Sequence, residues 1–193
     1  MPRLLCLDTE TTGFDPAHDR WIEVGAVEAV TGNGVDVDVG CFSSLIAGSR
    51  AVPYAVRGLT GLDDAALREA PEERQVIDQV AKAMARVDAV VCWNAAFDRS
   101  FVVAAFARCA IPVPAVPWWC ALELARQRRP DLPSHRLVDV AAALGVDAGR
   151  SHRALDDARA TLAVWRALQP RAQATSTSTT PEPAATGALA LFR

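Results

Sequence analysis

Apolar and polar positions in this chain mark out strands first and helices afterwards. Leu4-Leu5-Cys6-Leu7 is an apolar run followed by Asp8-Thr9-Glu10-Thr11-Thr12-Gly13, which predicts a buried strand closed by a glycine turn. Residues 21–30 are again largely apolar, with Glu23 and Glu28 as the only charges, and predict a second strand. Thr31-Gly32-Asn33-Gly34 is a hairpin signal, and beyond it Val35, Val37 and Val39 alternate with Asp36, Asp38 and Gly40. Asp36 and Asp38 then fall on the wet face of an edge strand, and the first three strands read as an antiparallel meander.

Residues 43–62 carry Pro53 and three glycines and read as loop, with a short helix over 63–68. From Pro71, placed in a first helical turn, the apolar positions Val76, Ile77, Val80, Met84 and Val87 recur at helical spacing. A buried strand follows at 89–93, and a strand-helix-strand crossover makes it parallel to the first. Asn94-Ala95-Ala96-Phe97-Asp98 leads into a helix with Phe101, Ala105 and Cys109 on one stripe. Three prolines then leave room only for a short strand near 116–119. Helices are expected at 121–127, at 137–144 and at 153–168. In the last, Leu155, Ala158, Leu162 and Trp165 form the core stripe, Asp157 lies about 90° from its centre, and Asp156 points nearly opposite, towards water.

At 193 residues the chain is long enough for one well-buried domain. No apolar run approaches a membrane span, and the N-terminus lacks the long apolar core of a signal peptide, so a soluble, cytoplasmic protein with no membrane partner is expected. Five cysteines without short paired spacing are expected as reduced, packed thiols. A net charge of -3 argues against coating nucleic acid by bulk attraction. The distribution says more: residues 1–98 carry 16 acids against 8 bases, and residues 99–193 carry 7 against 12. An acidic half able to hold metal thus meets a basic half able to hold phosphate, or both are ordinary solvated surface. Residues 171–193 turn to Ala, Ser, Thr and Pro, and are expected to be a flexible tether.

The candidate chemistry begins at Asp8 and Glu10. Residues two apart on a strand point the same way, so both carboxylates project together. Like charges this close need a cation, a shared proton or open solvent. Asp98 sits in the first turn of the helix after strand 89–93, just beyond that strand's carboxyl end, where ligand sites of open α/β sheets lie. It either faces Asp8 and Glu10 or only complements the helix dipole. Asp157 can border the same site; His152, five residues earlier, joins it only if it lies on the entry loop, and is otherwise a surface or structural histidine. Four carboxylates suit Mg²⁺ or Mn²⁺ better than zinc. Two such ions would clamp a phosphodiester, and His152 would suit the general base.

With these residues in view, the sequence resembles the DEDDh 3′-to-5′ exonucleases of the DnaQ-like group, which includes the proofreading epsilon subunit of bacterial DNA polymerase III. The likeness rests on Asp8-Thr9-Glu10-Thr11-Thr12-Gly13, on Asn94-Ala95-Ala96-Phe97-Asp98 and on His152-Arg153-Ala154-Leu155-Asp156-Asp157-Ala158, and covers about residues 3–168. It implies an α/β, ribonuclease-H-like fold: a mixed five-stranded sheet, its first three strands antiparallel, flanked by helices. Residues 1–170 would form the exonuclease domain. Asp8 would bridge two Mg²⁺ or Mn²⁺ ions, Glu10 and Asp157 would complete the first, Asp98 would hold the second, and His152 would deprotonate the attacking water. Backbone at Thr11 and Thr12 would meet the 3′ terminus, with Phe14 or Phe97 lining the terminal base pocket. Two departures stand out: Trp93 occupies a place where family members often have histidine, and Cys120-Ala121 one where they often have Asp-Thr. The end of the chain, with Leu189, Leu191 and Phe192, resembles the short peptide that bacterial replication proteins insert into the sliding clamp, without its leading glutamine. The expected function is removal of nucleotides from DNA 3′ ends as 5′-monophosphates during proofreading or repair. RNA trimming and a non-catalytic module tethered to a replication complex are the alternatives.

Overall fold

Pairing of the first apolar run along both its edges sets the architecture. The computed structural model describes residues 1–32, 35–48, 50–150 and 152–170. Strand β1 (Arg3–Thr11) pairs antiparallel with β2 (Trp21–Gly32), which pairs antiparallel with β3 (Val35–Leu45). On its other edge β1 pairs parallel with β4 (Ala89–Cys92), and β4 pairs parallel with β5 (Trp118–Cys120). The order β3-β2-β1-β4-β5 is the mixed five-stranded sheet of the ribonuclease-H-like fold, as expected.

Both faces of this sheet are covered, which is why β1 and β4 read as continuous apolar runs. Leu5, Leu7, Val24, Ala26, Val90 and Cys92 face α3 (Glu73–Met84) and α4 (Ala95–Arg108). Leu4, Cys6, Val27, Ala29, Ala89 and Val91 face α7 (Ala154–Leu168). Helices α5 (Ala121–Arg128) and α6 (Leu137–Ala143) pack on α7 from outside. Two small helices, α1 (Tyr54–Thr60) and α2 (Asp64–Arg68), close the sheet end at Ile22 through Val52, Leu62 and Leu67.

Several elements differ from the sequence reading. Residues 43–45 continue β3, and 54–60 form α1 where loop was expected. Pro53 is the N-cap of α1 and Gly61, at φ 71°, its C-cap, so two of the residues that suggested a loop punctuate a helix instead, and Gly58 lies within it. Pro71 lies outside α3, which begins after a capping box between Glu72 and Gln75. Asp36 and Asp38 are exposed and reach Arg166 of α7, but Val37 and Val39 are about half exposed too. A bulge opposite Glu28 shifts the pairing there, so the alternation does not bury the valines. The five cysteines are free, with Cys6 and Cys92 buried and Cys41 exposed rather than packed. Among the described residues no helix is long and apolar enough to cross a membrane. The predicted hairpin tip at Asn33 and Gly34 and the tail at 171–193, with Leu189, Leu191 and Phe192, lie outside the described residues.

Candidate active site

At the carboxyl ends of β1 and β4 the structure brings Glu10, His152 and Asp157 within ligand distance of one another, while Asp8 and Asp98 lie beside that group and outside it. Leu4, Cys6, Asp8 and Glu10 alternate onto the face that α7 covers, so the apolar half of the strand is core and its last turns carry acid. The ladder to β2 shifts register between Glu10 and Thr11, leaving Ile22 as the extra residue. Such a bulge ends regular pairing and re-aims the chain. From there Thr12 donates its amide to the Arg20 carbonyl (2.8 Å), and its hydroxyl accepts from the Arg20 amide (3.0 Å). The Thr11 hydroxyl donates to the Gly13 carbonyl (2.6 Å). Gly13 packs against the Asp19 carboxylate, where any Cβ would collide. These contacts fix the turn that carries Phe14, which is 90% exposed and meets Phe97 edge-on at 6.3 Å between ring centroids. Phe97 in turn lies 5.0 Å from Phe101 of the core.

Asp98 occupies the first turn of α4 and is buried. Its Oδ1 accepts from the Thr9 amide (3.0 Å) and the Thr9 hydroxyl (2.9 Å), tying α4 to β1 between Asp8 and Glu10. On the other side, Glu10, His152 and Asp157 each offer a ligand atom within 4.8 Å of the others. Asp157 is buried in the first turn of α7, while Asp156 pairs with Arg150 and Arg159, each at 3.7 Å, so it is screened by arginine rather than freely hydrated. His152 adopts a left-handed backbone, φ 62°, and its amide donates to Asp157 Oδ2 at 2.9 Å.

Electrostatics mark this cluster as a place that wants positive charge. Burial, then repulsion from Asp157, Glu23 and Asp98, pushes Glu10 up to about 8. Burial pushes Asp98 up to about 7 against the opposing pull of Thr9. Asp8 is raised well above the carboxylate range by burial and by Asp98, Asp157, Glu10 and Glu23. Asp157 is raised by burial, offset in part by the His152 amide. Ionising these four carboxylates together is costly, and a bound cation would relieve that cost. An oxygen-rich donor set with one imidazole fits a hard divalent ion.

Two residues beside the cluster were not among those the sequence assigned to it. Glu23, directly across from Glu10, is 1% exposed and paired with Arg153. Gly25, across from Asp8, lets the backbone at Ala154 and Leu155 rest on the sheet, where any Cβ would collide. A lone acid inside an apolar strand was the available signal for Glu23, since a buried carboxylate demands a partner. Trp93 packs among α5, α6 and α7, and its carbonyl accepts from the Leu122 amide (2.9 Å). It therefore serves packing at the place where the resemblance implies histidine.

Residues 5–165 match the RNase_T family, described as exonuclease. A protein of Mycobacterium tuberculosis named as a bifunctional exonuclease/endonuclease is 37% identical over 161 residues, 82% of this chain and 24% of its own length. A PolC-type DNA polymerase III of Oceanobacillus iheyensis is 34% identical over 163 residues, 84% of this chain and 11% of its own. The chain thus spans a quarter or less of these two curated relatives. Among solved structures, E. coli exonuclease I in complex with a dT13 oligonucleotide superposes with a TM-score of 0.75 at 20% identity, over 86% of this chain and 40% of that one.

Proposed function

Since the chain belongs to the RNase_T family of exonucleases, we propose that it removes nucleotides one at a time from DNA 3′ ends, releasing nucleoside 5′-monophosphates, in proofreading or repair. The observation that carries this is the meeting of Glu10, His152 and Asp157 within 4.8 Å, beside the half-buried Asp8 and the buried Asp98. Two Mg²⁺ or Mn²⁺ ions, held by Asp8, Glu10, Asp98 and Asp157, would supply the positive charge that polarises the phosphate and stabilises the departing 3′ oxygen.

The remaining steps belong to the chain's own residues. His152, on the exposed rim of the cluster, accepts the proton of the water that attacks phosphorus. Phe14 and Phe97 offer ring faces and edges against which the terminal base packs. Thr11 and Thr12 stiffen the turn between the acids and Phe14, so the distance from base pocket to carboxylates is set by backbone. DNA is the favoured substrate because the relatives include DNA polymerases and the solved exonuclease I is bound to a dT13 oligonucleotide. Residues 1–170 would carry this activity, and the tail, through Leu189, Leu191 and Phe192, would engage a sliding clamp.

The test is a strand-shortening assay with 5′-labelled single-stranded DNA and RNA of one sequence, with Mg²⁺ or Mn²⁺ or with EDTA. Metal-dependent shortening of DNA from its 3′ end is expected. Shortening of RNA alone would move the assignment to RNA trimming, and no shortening of either would favour a non-catalytic module. Deleting residues 187–193 should abolish clamp binding and leave shortening intact.

A further inference from the structure

We propose that Glu23 and Arg153 form a buried strut that holds His152 and the first turn of α7 in register with the carboxylates of β1, which makes both of them positioning residues. The proposal rests on the reading of His152 as the base.

Glu23 is almost fully buried, a poor place for a carboxylate unless its charge and lone pairs are met. They are met entirely by the segment carrying His152. Arg153 Nη2 donates to Oε1 at 2.9 Å and its Nε to both oxygens at 3.2 Å, a bidentate fork that holds direction as well as charge. The Ala154 amide, one of the orphan donors of the α7 N-terminus, points to Oε2 at 3.3 Å. The Arg153 carbonyl in turn accepts the Asp157 amide at 3.0 Å. Arg153 is thus fastened to β2 by its side chain while its backbone fastens Asp157, and its neighbour His152 donates its own amide to the Asp157 carboxylate.

The strut holds a segment whose backbone is irregular. It arrives through Gly149 at φ 63° and His152 at φ 62°, both left-handed, and the nearby Arg150–Asp156 pair is long, at 3.7 Å, and exposed on the arginine side. The strut also ends where aim matters, because Glu23 lies directly across the ladder from Glu10. Gly25, the next residue on that face, leaves the space into which the α7 backbone descends. A shift of the Glu23–Arg153 pair would move His152 and Asp157 together, relative to Asp8 and Glu10.

Glu23→Gln and Arg153→Lys in the full chain test this. The first keeps the shape and removes the charge; the second keeps the charge and removes the fork. Each should lower kcat about 10–100-fold with KM nearly unchanged, as removal of a ligand-orienting partner does. The double variant should lose no more than the worse single one, since the two act as a unit. In metal-free protein the His152 backbone amide resonance should shift in both variants while those of α3 stay in place. Wild-type kcat in the variants, a loss of kcat that only follows a loss of folded protein in thermal unfolding, or an unmoved His152 amide would overturn the strut. A wild-type chain that shortens no strand overturns the exonuclease reading instead. The amide response, which needs no turnover, then decides the strut by itself.

Discussion

The two ends of the β1–β2 ladder hold acidic residues under opposite conditions. At the Arg3 end, Glu28 sits between Arg3 (3.3 Å) and Arg86 (3.2 Å), and its charge is answered within the chain. At the Glu10 end, Asp8, Glu10, Asp98 and Asp157 converge, and the nearby guanidinium of Arg153 is committed to Glu23. The same pair of strands thus ends in a closed ion cluster on one side and an open one on the other. Charge left unbalanced by the chain is stability given up for a ligand, and here it separates the site from the scaffold.

The comparison is broken most directly at Asp8. Asp8→Asn should cut strand shortening by about 10²–10³-fold or more, the scale for losing a group that meets developing charge. It should also stabilise the metal-free protein at pH 8, because one repelling charge is gone; both outcomes are read from an assay and a thermal scan on one sample. His152→Ala should cost about 10²-fold or more in kcat, the range for a general base, with little change in metal-free stability. Phe14→Ala, at a 90% exposed position, should leave the thermal midpoint alone and raise KM for DNA about tenfold through lost base stacking.

The open end should also show itself without substrate. Glu10 and Asp98 have folded-state values near 8 and 7, above their ordinary 4.5 and 3.8. Raised values mean that the folded chain holds protons which the unfolded chain releases. Their contribution to stability is therefore complete below about pH 4 and is lost as pH rises through 7 and 8. In EDTA the thermal midpoint should fall between pH 5 and pH 8 by about 4 °C or more on this account. Mg²⁺ or Mn²⁺ should restore it at pH 8 and do little at pH 5. A midpoint unmoved by metal at pH 8 would contradict the open-cluster reading. The smallest effect belongs to the closed end: Glu28→Gln should cost about 1 kcal/mol or less, since its partners are half exposed, and should leave activity unchanged.

Much of the molecule was already determined by the sequence. Strand and helix periods lay out β1, β2, α3, β4, α4 and α7, because each buries a stripe or face whose spacing is set by local geometry. The placement of Asp8, Glu10 and Asp98 was legible because each follows an apolar strand at a short offset, and that of Asp157 because it borders the apolar stripe of its helix; His152, on the loop before that helix, was singled out by the resemblance and by no offset of its own. What the sequence left out depends on contacts between distant segments. The bulges opposite Glu28 and after Glu10, which expose the valines and aim the turn, arise from mismatched ladders and not from either strand alone. The Glu23–Arg153 pair joins residues 130 apart, and Asp98 meets Thr9 across 89. Only the packed sheet decides which acid receives an arginine and which is left without one, because a charge's cost is set by what surrounds it and not by its neighbours in the chain.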